Sequence, residues 1–155
     1  MYLLGNNPSQ REYIKNFAQK VNLKIVALIH LDDYIPADNN FADLTPYDVG
    51  PGEFLNYIRH SRFVFTDSFH CTVFSILYKK SFFSFDRFKA GAKQNTNTRI
   101  SNLLSIVDLK ERHWNVDIPV DFAINLVSNY DKVESNLQYF RVKSFDYLNE
   151  ALAGL

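Results

Sequence analysis

Short apolar runs that alternate with segments of helical period constrain the fold of this chain more than any other feature. The apolar runs are YLL (2–4), LKIVALI (23–29), RFVFT (62–66) and SFFSF (81–85). Between them, residues 9–20 repeat apolar side chains at helical spacing, and that period returns after Pro51 and again from Cys71. Continuous β-branched runs are typical of strands covered on both faces. The alternation therefore predicts parallel βαβ units with right-handed crossovers.

We expect one α/β domain over residues 1–155, built as three α/β/α layers around a parallel sheet, because the chain is long enough for a single core. Further helices are predicted after residue 98. The strands are predicted near residues 2–5, 24–29, 63–66 and 81–85. The core is predicted to include Ile25, Ala27, Leu28, Val64, Phe65, Phe74, Leu77 and Leu104. We interpret residues 88–98 as a loop.

The composition narrows the class of protein. Seventeen basic and seventeen acidic residues cancel, and no basic stripe indicates a nucleic-acid partner. The single cysteine rules out an intrachain disulfide and a cysteine-rich zinc site, which favours a reducing, cytoplasmic setting. No apolar run reaches the roughly 20 residues of a membrane-spanning helix, and the N-terminus lacks the features of a signal peptide. We interpret the Asp32–Asp33 pair as a solvated turn and predict no metal site.

The stretch TDSFHC, residues 66–71, places polar and titratable side chains between a predicted strand and a predicted helix over 71–79. Ligands of open parallel sheets bind beyond the carboxyl ends of the strands, and a helix N-terminus there favours anions. Ser68 and His70 could add donors for a carboxylate or phosphate. The alternative is structural: Asp67 or Ser68 caps the helix, His70 has no ligand, and Cys71 is a small buried residue.

Residues 49–85, VGPGEFLNYIRHSRFVFTDSFHCTVFSILYKKSFFSF, resemble the core of the polysaccharide pyruvyl transferase family. That core has a Pro-x-Glu-Phe-Leu helix, a strand, a Ser-Phe-His-Gly turn that opens a helix, and an apolar strand. Residues 97–112 are similar to the family's Asn-x-Arg-Ile-x-x-Leu-Leu segment, and residues 139–152 are similar to its closing helix. The resemblance covers most of residues 2–152 in order.

The resemblance implies a transferase that attaches pyruvate from phosphoenolpyruvate as a ketal onto sugar hydroxyls of an exopolysaccharide or cell-surface polysaccharide. Ser68, Phe69 and His70 carry over as donor-contacting positions, and Arg99 carries over more loosely as a basic residue near the site. His70 is assigned to anion binding first and to acid catalysis second. The scheme needs no cofactor or metal beyond the donor substrate, and the acceptor is a sugar or a lipid-linked glycan.

The family is similar to two-domain, GT-B-like glycosyltransferases, so this chain resembles the second of two Rossmann-like halves. We therefore expect a first-half partner or a homo-oligomer, and no turnover by the 155 residues alone. Cys71 stands where the family usually has glycine, and its side chain narrows the approach of a ligand to the backbone. Two other functions stay open: half of a nucleotide-sugar glycosyltransferase, or a truncated, non-catalytic domain that binds a partner.

Overall fold

The computed structural model describes residues 1–29, 34–88 and 97–153 and has a mixed α/β fold around two parallel strands. The strands are β1 (Phe63–Thr66) and β2 (Ser81–Ser84). The helices are α1 (Pro8–Lys20), α2 (Pro51–His60), α3 (Phe69–Leu77), α4 (Asn97–Ile106), α5 (Val120–Asn125) and α6 (Tyr130–Ala153). Two short 3-10 turns lie at Pro36–Asp38 and Lys110–Arg112.

The two strands confirm the predicted parallel pairing of the segments around 63–66 and 81–85. Phe63 lies opposite Ser81, and the register continues without a break to Thr66 opposite Ser84. Helix α3 connects the two strands and packs on both of them. This unit is the βαβ crossover that the sequence pattern predicts.

The segment at 2–5 does not form the predicted strand and joins β1 at a single residue. Tyr2 bridges Thr66 in parallel, and its N–H donates to the carbonyl of Phe65 at 2.9 Å. The amides of Leu4 and Gly5 do not continue the ladder, because their N–H groups donate to the carboxylate of Asp67. The side chain of Asp67, the residue that follows β1, therefore ends the pairing.

The predicted strand at 24–29 is also reduced to one bridge, between Val26 and Leu44. The N–H of Ile25 donates to the carboxylate of Asp43 at 2.7 Å, while the Ile25 carbonyl accepts from the amides of both Asp43 and Leu44. These bonds interrupt the regular ladder. The larger parallel sheet of a Rossmann-like domain thus stays a prediction, whereas the α/β class is confirmed.

Apolar side chains cover both faces of the strand pair, in line with strands that alternate their side chains. On one face, Val64 and Phe82 pack with residues of α2, α3 and α4. On the other face, Phe65 and Phe83 pack with α1 and α5. Rings on this second face stack, with centroids of Phe63 and Phe65 4.9 Å apart. Helices are therefore held against both sides of the strands.

Helix starts follow the sequence signals closely. Pro8 and Pro51 occupy the first turns of α1 and α2, where their missing N–H groups cost nothing. The side chain of Asn7 caps α1 by accepting the N–H of Ser9 at 3.1 Å. Beyond the end of α1, Asn22 has a φ of 51°, a left-handed conformation that asparagine tolerates.

Leu77, a predicted core residue of α3, is not buried, and Phe74 is buried only in part. Leu77 is 45 % exposed, whereas Thr72 and Ser75 are fully buried. Their hydroxyls can be buried because each donates within its own helix, Thr72 to the carbonyl of Ser68 and Ser75 to that of Cys71. The other predicted core residues are buried, as listed here by position: 25, 27, 28, 64, 65 and 104.

Two interpretations fall partly or wholly outside the described residues. These are the loop at 88–98, of which residues 89–96 are not described, and the solvated turn at Asp32–Asp33. In the described ranges, no helix combines the length and apolar character that crossing a bilayer requires. The described residues also contain no group of three or more His, Cys, Asp or Glu side chains placed to hold a metal ion.

Candidate functional site

The junction between β1 and α3 lies at the carboxyl edge of the strand pair. Helix α3 begins at Phe69, two residues earlier than predicted, with Ser68 as its N-cap. The Ser68 hydroxyl accepts the N–H of Cys71 at 3.4 Å, and the Ser68 amide donates to Thr66 Oγ1 at 3.0 Å. Ser68 is therefore the structural cap that the sequence allowed.

His70 lies in the first turn of α3 and is exposed. Its ring meets the ring of Phe69 edge-on, with centroids 6.0 Å apart and planes at 82°. His70 therefore lies beside a helix N-terminus and is exposed to solvent, and its part in donor binding stays a prediction. An imidazole N–H there can donate a hydrogen bond to an anion.

Arg99, in the first turn of α4, lies on the same side of the molecule as Phe69. Its guanidinium carbon is 4.5 Å from the centroid of the Phe69 ring, a cation–π contact. Phe69 therefore connects Arg99 with His70, so three of the four predicted positions form one continuous surface. Ser68 lies beneath them, largely buried, and supports the turn.

Cys71 faces the core and not the edge. It is 1 % exposed, and burial raises the pKa of its thiol to about 11, so it is a neutral thiol at neutral pH. The prediction of a small buried residue is confirmed. Because its side chain packs inward among apolar residues, the substitution for the family's glycine leaves the outer side of this turn open.

Asp67 anchors the loop that follows the first extended segment. Its side chain is buried, and its two carboxylate oxygens accept the N–H groups of Leu4 at 2.8 Å and Gly5 at 2.7 Å. Burial raises the pKa of this carboxyl, while the two amides, Arg87 and Arg11 lower it. The sequence analysis considered Asp67 only as a cap, and its actual role joins two loops at one edge.

Arg87, which the sequence analysis missed, follows β2 at the same edge. Its Nη2 donates to the carbonyl of Asp67 at 3.3 Å, and its Nε lies 3.9 Å from an Asp67 carboxylate oxygen. Nε is buried and makes no hydrogen bond to the residues that the structure describes, and the side chain is 29 % exposed. A signal was available, because the carboxyl ends of parallel strands share an edge and SFFSF is followed by Asp86 and Arg87.

A buried ion pair supports the loop from below. Arg11 donates through Nε to Asp38 at 2.6 Å and through Nη1 to the carbonyl of Gly5 at 2.8 Å. Both side chains are nearly enclosed. A charged pair of this kind holds geometry more than it adds stability. These bonds hold the Gly5 loop beside Asp67 and Arg87.

Comparison with known proteins identifies the family of this chain. A model of the polysaccharide pyruvyl transferase family matches residues 1–87, more than half of the chain. This chain belongs to the polysaccharide pyruvyl transferase family. No curated protein and no solved structure matches it.

The family match covers the N-terminal segment, both strands, α1 to α3 and the Ser68–His70 turn. It ends at Arg87, the residue that contacts Asp67. The resemblance noted at 97–112 and 139–152, including Arg99, lies beyond the match and rests on the sequence pattern alone. The contact between Arg99 and Phe69 nevertheless connects α4 to the matched turn.

Proposed function

We propose that this protein transfers pyruvate from phosphoenolpyruvate onto two hydroxyls of a sugar, forming a ketal in an exopolysaccharide or cell-surface polysaccharide. The observation that carries the proposal is the exposed His70 in the first turn of α3, within the part of the chain that matches the family. The acceptor would be a sugar or a lipid-linked glycan. We place the reaction in a reducing compartment, the cytoplasm, as part of the same proposal.

The donor carries a carboxylate and a phosphate, and the edge offers matching groups. The helix N-terminus and His70 would bind one anionic group, and Arg99 would neutralise the other. Arg87, whose side chain is partly exposed at the same edge, is a further candidate for the phosphate. No cofactor or metal enters this scheme, because phosphoenolpyruvate already carries the phosphate that leaves.

The reaction balances without an added oxidant or reductant. A proton adds to the methylene carbon of the donor, and a sugar hydroxyl oxygen bonds to the neighbouring carbon and loses its own proton, which balances the proton added. The bond from that carbon to the phosphate oxygen breaks, phosphate leaves, and the second hydroxyl closes the ketal with loss of its proton. His70 would first hold the anion and would also be placed to deliver the proton.

Phosphoenolpyruvate binding to the purified chain tests the proposal without requiring turnover. We expect a dissociation constant on the order of millimolar, measured by phosphorus NMR line broadening, because a few hydrogen bonds supply little more. His70→Ala and Arg99→Ala should each weaken binding about fivefold. His60→Ala is the matched control, because His60 is an exposed histidine at the end of α2.

A parallel titration with a nucleotide diphosphate sugar separates the transferase classes. If that ligand binds more strongly than phosphoenolpyruvate and the binding is lost in His70→Ala, the proposed function would be glycosyl transfer and not pyruvyl transfer. Equal phosphoenolpyruvate binding by the wild type, His70→Ala and His60→Ala would reject the site. If phosphoenolpyruvate binds at the site, phosphate release that depends on an acceptor glycan would test whether the chain catalyses the transfer.

A further inference from the structure

A cavity of about 380 Å³ opens at the opposite, amino edge of the strands. One side is formed by residues 23–26 and the other by residues 62–65 of the β1 region. Helix α1 contributes Ile14, Phe17 and Ala18 to one wall, and α2 contributes Tyr57 and Ile58 to another. The cavity shares no residue with the Ser68–His70 turn, so it is separate from the proposed donor site.

The interior of this cavity is apolar and its mouth is basic. Ile58 and Phe65 are buried members of the two apolar clusters, and both line the inner part with Cys71. The basic side chains among the lining residues that the structure describes are Lys24, His60 and Arg62, and no Asp or Glu is among those residues. They precede or begin the extended segments, and the amino ends of parallel segments share one edge.

The charges of two of these residues are available to a ligand. Lys24 and Arg62 are exposed, and neither has an ion-pair partner among the residues that the structure describes. His60 uses Nδ1 for a hydrogen bond to the carbonyl of Asn56 at 2.9 Å, which orients its other ring nitrogen away from the helix. Two fixed cations and one imidazole thus stand at the mouth of an apolar cavity.

We propose that this cavity binds a single-chain anionic amphiphile, with its alkyl tail inside and its carboxylate at Lys24 and Arg62. The cavity volume lies at the low end of the roughly 300–1,000 Å³ of small-ligand sites, which suits one alkyl chain better than a bulky ring system. The charge pattern selects the headgroup, because an anion is attracted to this mouth and an ammonium group is repelled by it. The tail accounts for the affinity through burial of apolar surface.

Titration of the purified chain with dodecanoate, below its micelle concentration, tests the site. Binding should saturate at one molecule per chain in calorimetry, and each methylene added from octanoate to dodecanoate should strengthen it about threefold. Dodecylammonium should bind at least tenfold more weakly than dodecanoate. Lys24→Glu combined with Arg62→Glu should weaken dodecanoate binding about tenfold and leave binding of neutral dodecanol unchanged.

Two controls separate the cavity from general surface binding. Lys15→Glu changes an exposed cation of α1 that does not line the cavity, and it should leave dodecanoate binding unchanged. Cys71 is the chain's single cysteine and lines the cavity, and because it is 1 % exposed it reacts with methyl methanethiosulfonate only when this region opens, a reaction that bound dodecanoate should slow. The midpoint of this protection should equal the calorimetric dissociation constant, and no variant is needed.

The proposal is overturned by non-saturating binding, by equal binding of dodecanoate and dodecylammonium, or by Cys71 reactivity that dodecanoate does not change. Preferential binding of an extended apolar peptide over dodecanoate would also overturn the proposal. It would indicate that the cavity accepts an additional β-strand and not an alkyl chain. Binding of dodecanoate by His70→Ala should equal that of the wild type. The outcome is therefore independent of the outcome at the donor site.

Discussion

The carboxylate of Asp67 and the backbone of Gly5 are so close that a side chain at Gly5 would be crowded. The N–H of Gly5 donates to an Asp67 oxygen at 2.7 Å, and a Cβ added to Gly5 would lie 3.1 Å from that oxygen and from the Arg87 carbonyl. Glycine therefore suits this close approach, because any side chain would force a neighbour to shift by a few tenths of an ångström. The contact joins the loop after the first extended segment to the end of β1, and so fixes the edge from which α3 begins.

Replacement of Asp67 tests how much this junction stabilises the fold. In Asp67→Ala, the amides of Leu4 and Gly5 lose their acceptor, and each unpaired buried donor costs about 1–3 kcal/mol. We expect the free energy of unfolding, measured in urea, to fall by about 3 kcal/mol. Asp48→Ala removes an exposed carboxylate and should change it by less than about 0.5 kcal/mol. Equal values for the two variants would contradict this role of Asp67.

The sequence predicted the parts of the fold that local chemistry decides. Helix α1 begins at its proline and ends before Asn22, and β1 and β2 lie where the apolar runs predicted them, because proline, capping and burial act over a few residues. The predicted strands at 2–5 and 24–29 were lost to side chains distant in sequence. Asp67 lies 62 residues from Gly5, and Asp43 lies 18 residues from Ile25. No sequence pattern within a few residues predicts such acceptors.

The candidate site was predictable to a similar extent. The exposed position of His70 follows from a strand, a cap and a helix in succession, all of which are visible in TDSFHC. The position of Arg87 could have been found, because the predicted pairing of β1 and β2 brings Asp67 and Arg87 to one edge. The contact of Arg99 with Phe69 depends on the packing of α4, which periodicity does not encode.

Paired substitutions in α3 test which residues of this helix pack in the core. Ile76 is 3 % exposed in the core and Leu77 is 45 % exposed, although the residues are adjacent. Ile76→Ala should lower the free energy of unfolding by about 2–5 kcal/mol, because it leaves a cavity. Leu77→Ala should lower it by no more than about 1 kcal/mol. Thermal or urea unfolding of the two variants gives the comparison. A larger loss of stability for Leu77→Ala would show that Leu77, as first predicted, packs in the core.

The hydroxyl of Tyr130 makes stability depend on alkaline pH. It donates to the carbonyl of Lys80 and anchors the start of α6, and burial raises its pKa from 10.0 to about 12. An acid whose folded pKa is raised stabilises the fold below its unfolded pKa and loses that contribution as pH rises through the folded value. The window here is pH 10 to about 12.

Tyr130→Phe removes this titration. We expect the stability difference between the wild type and Tyr130→Phe to shrink by roughly 1 kcal/mol across that window, a value reduced for the partial exposure of the ring. Urea unfolding at pH 9, 10, 11 and 12 gives the difference directly. Tyr13, whose pKa is also raised to about 12, is present in both proteins and cancels. A difference that does not vary with pH would show that Tyr130 ionises normally in the folded chain.

Three substitutions at Ser68 separate its capping role from anion binding at the start of α3. Ser68→Ala removes the acceptor of the Cys71 amide and should lower the free energy of unfolding by about 1 kcal/mol. Asparagine and aspartate cap helices as well as serine does, so Ser68→Asn and Ser68→Asp should keep most of the stability. Aspartate, however, adds a negative charge where the donor's anionic group is proposed to bind.

We therefore expect Ser68→Asp to weaken phosphoenolpyruvate binding at least tenfold, and Ser68→Asn to weaken it by less than threefold, in the phosphorus NMR titration. Thermal melts of the same samples establish that the two variants are equally folded. Aspartate and asparagine have nearly the same size, so a difference in binding between them reports charge and not shape. If Ser68→Asp binds phosphoenolpyruvate as the wild type does, the N-terminus of α3 is not the donor site, and Ser68 serves only as the cap of the helix.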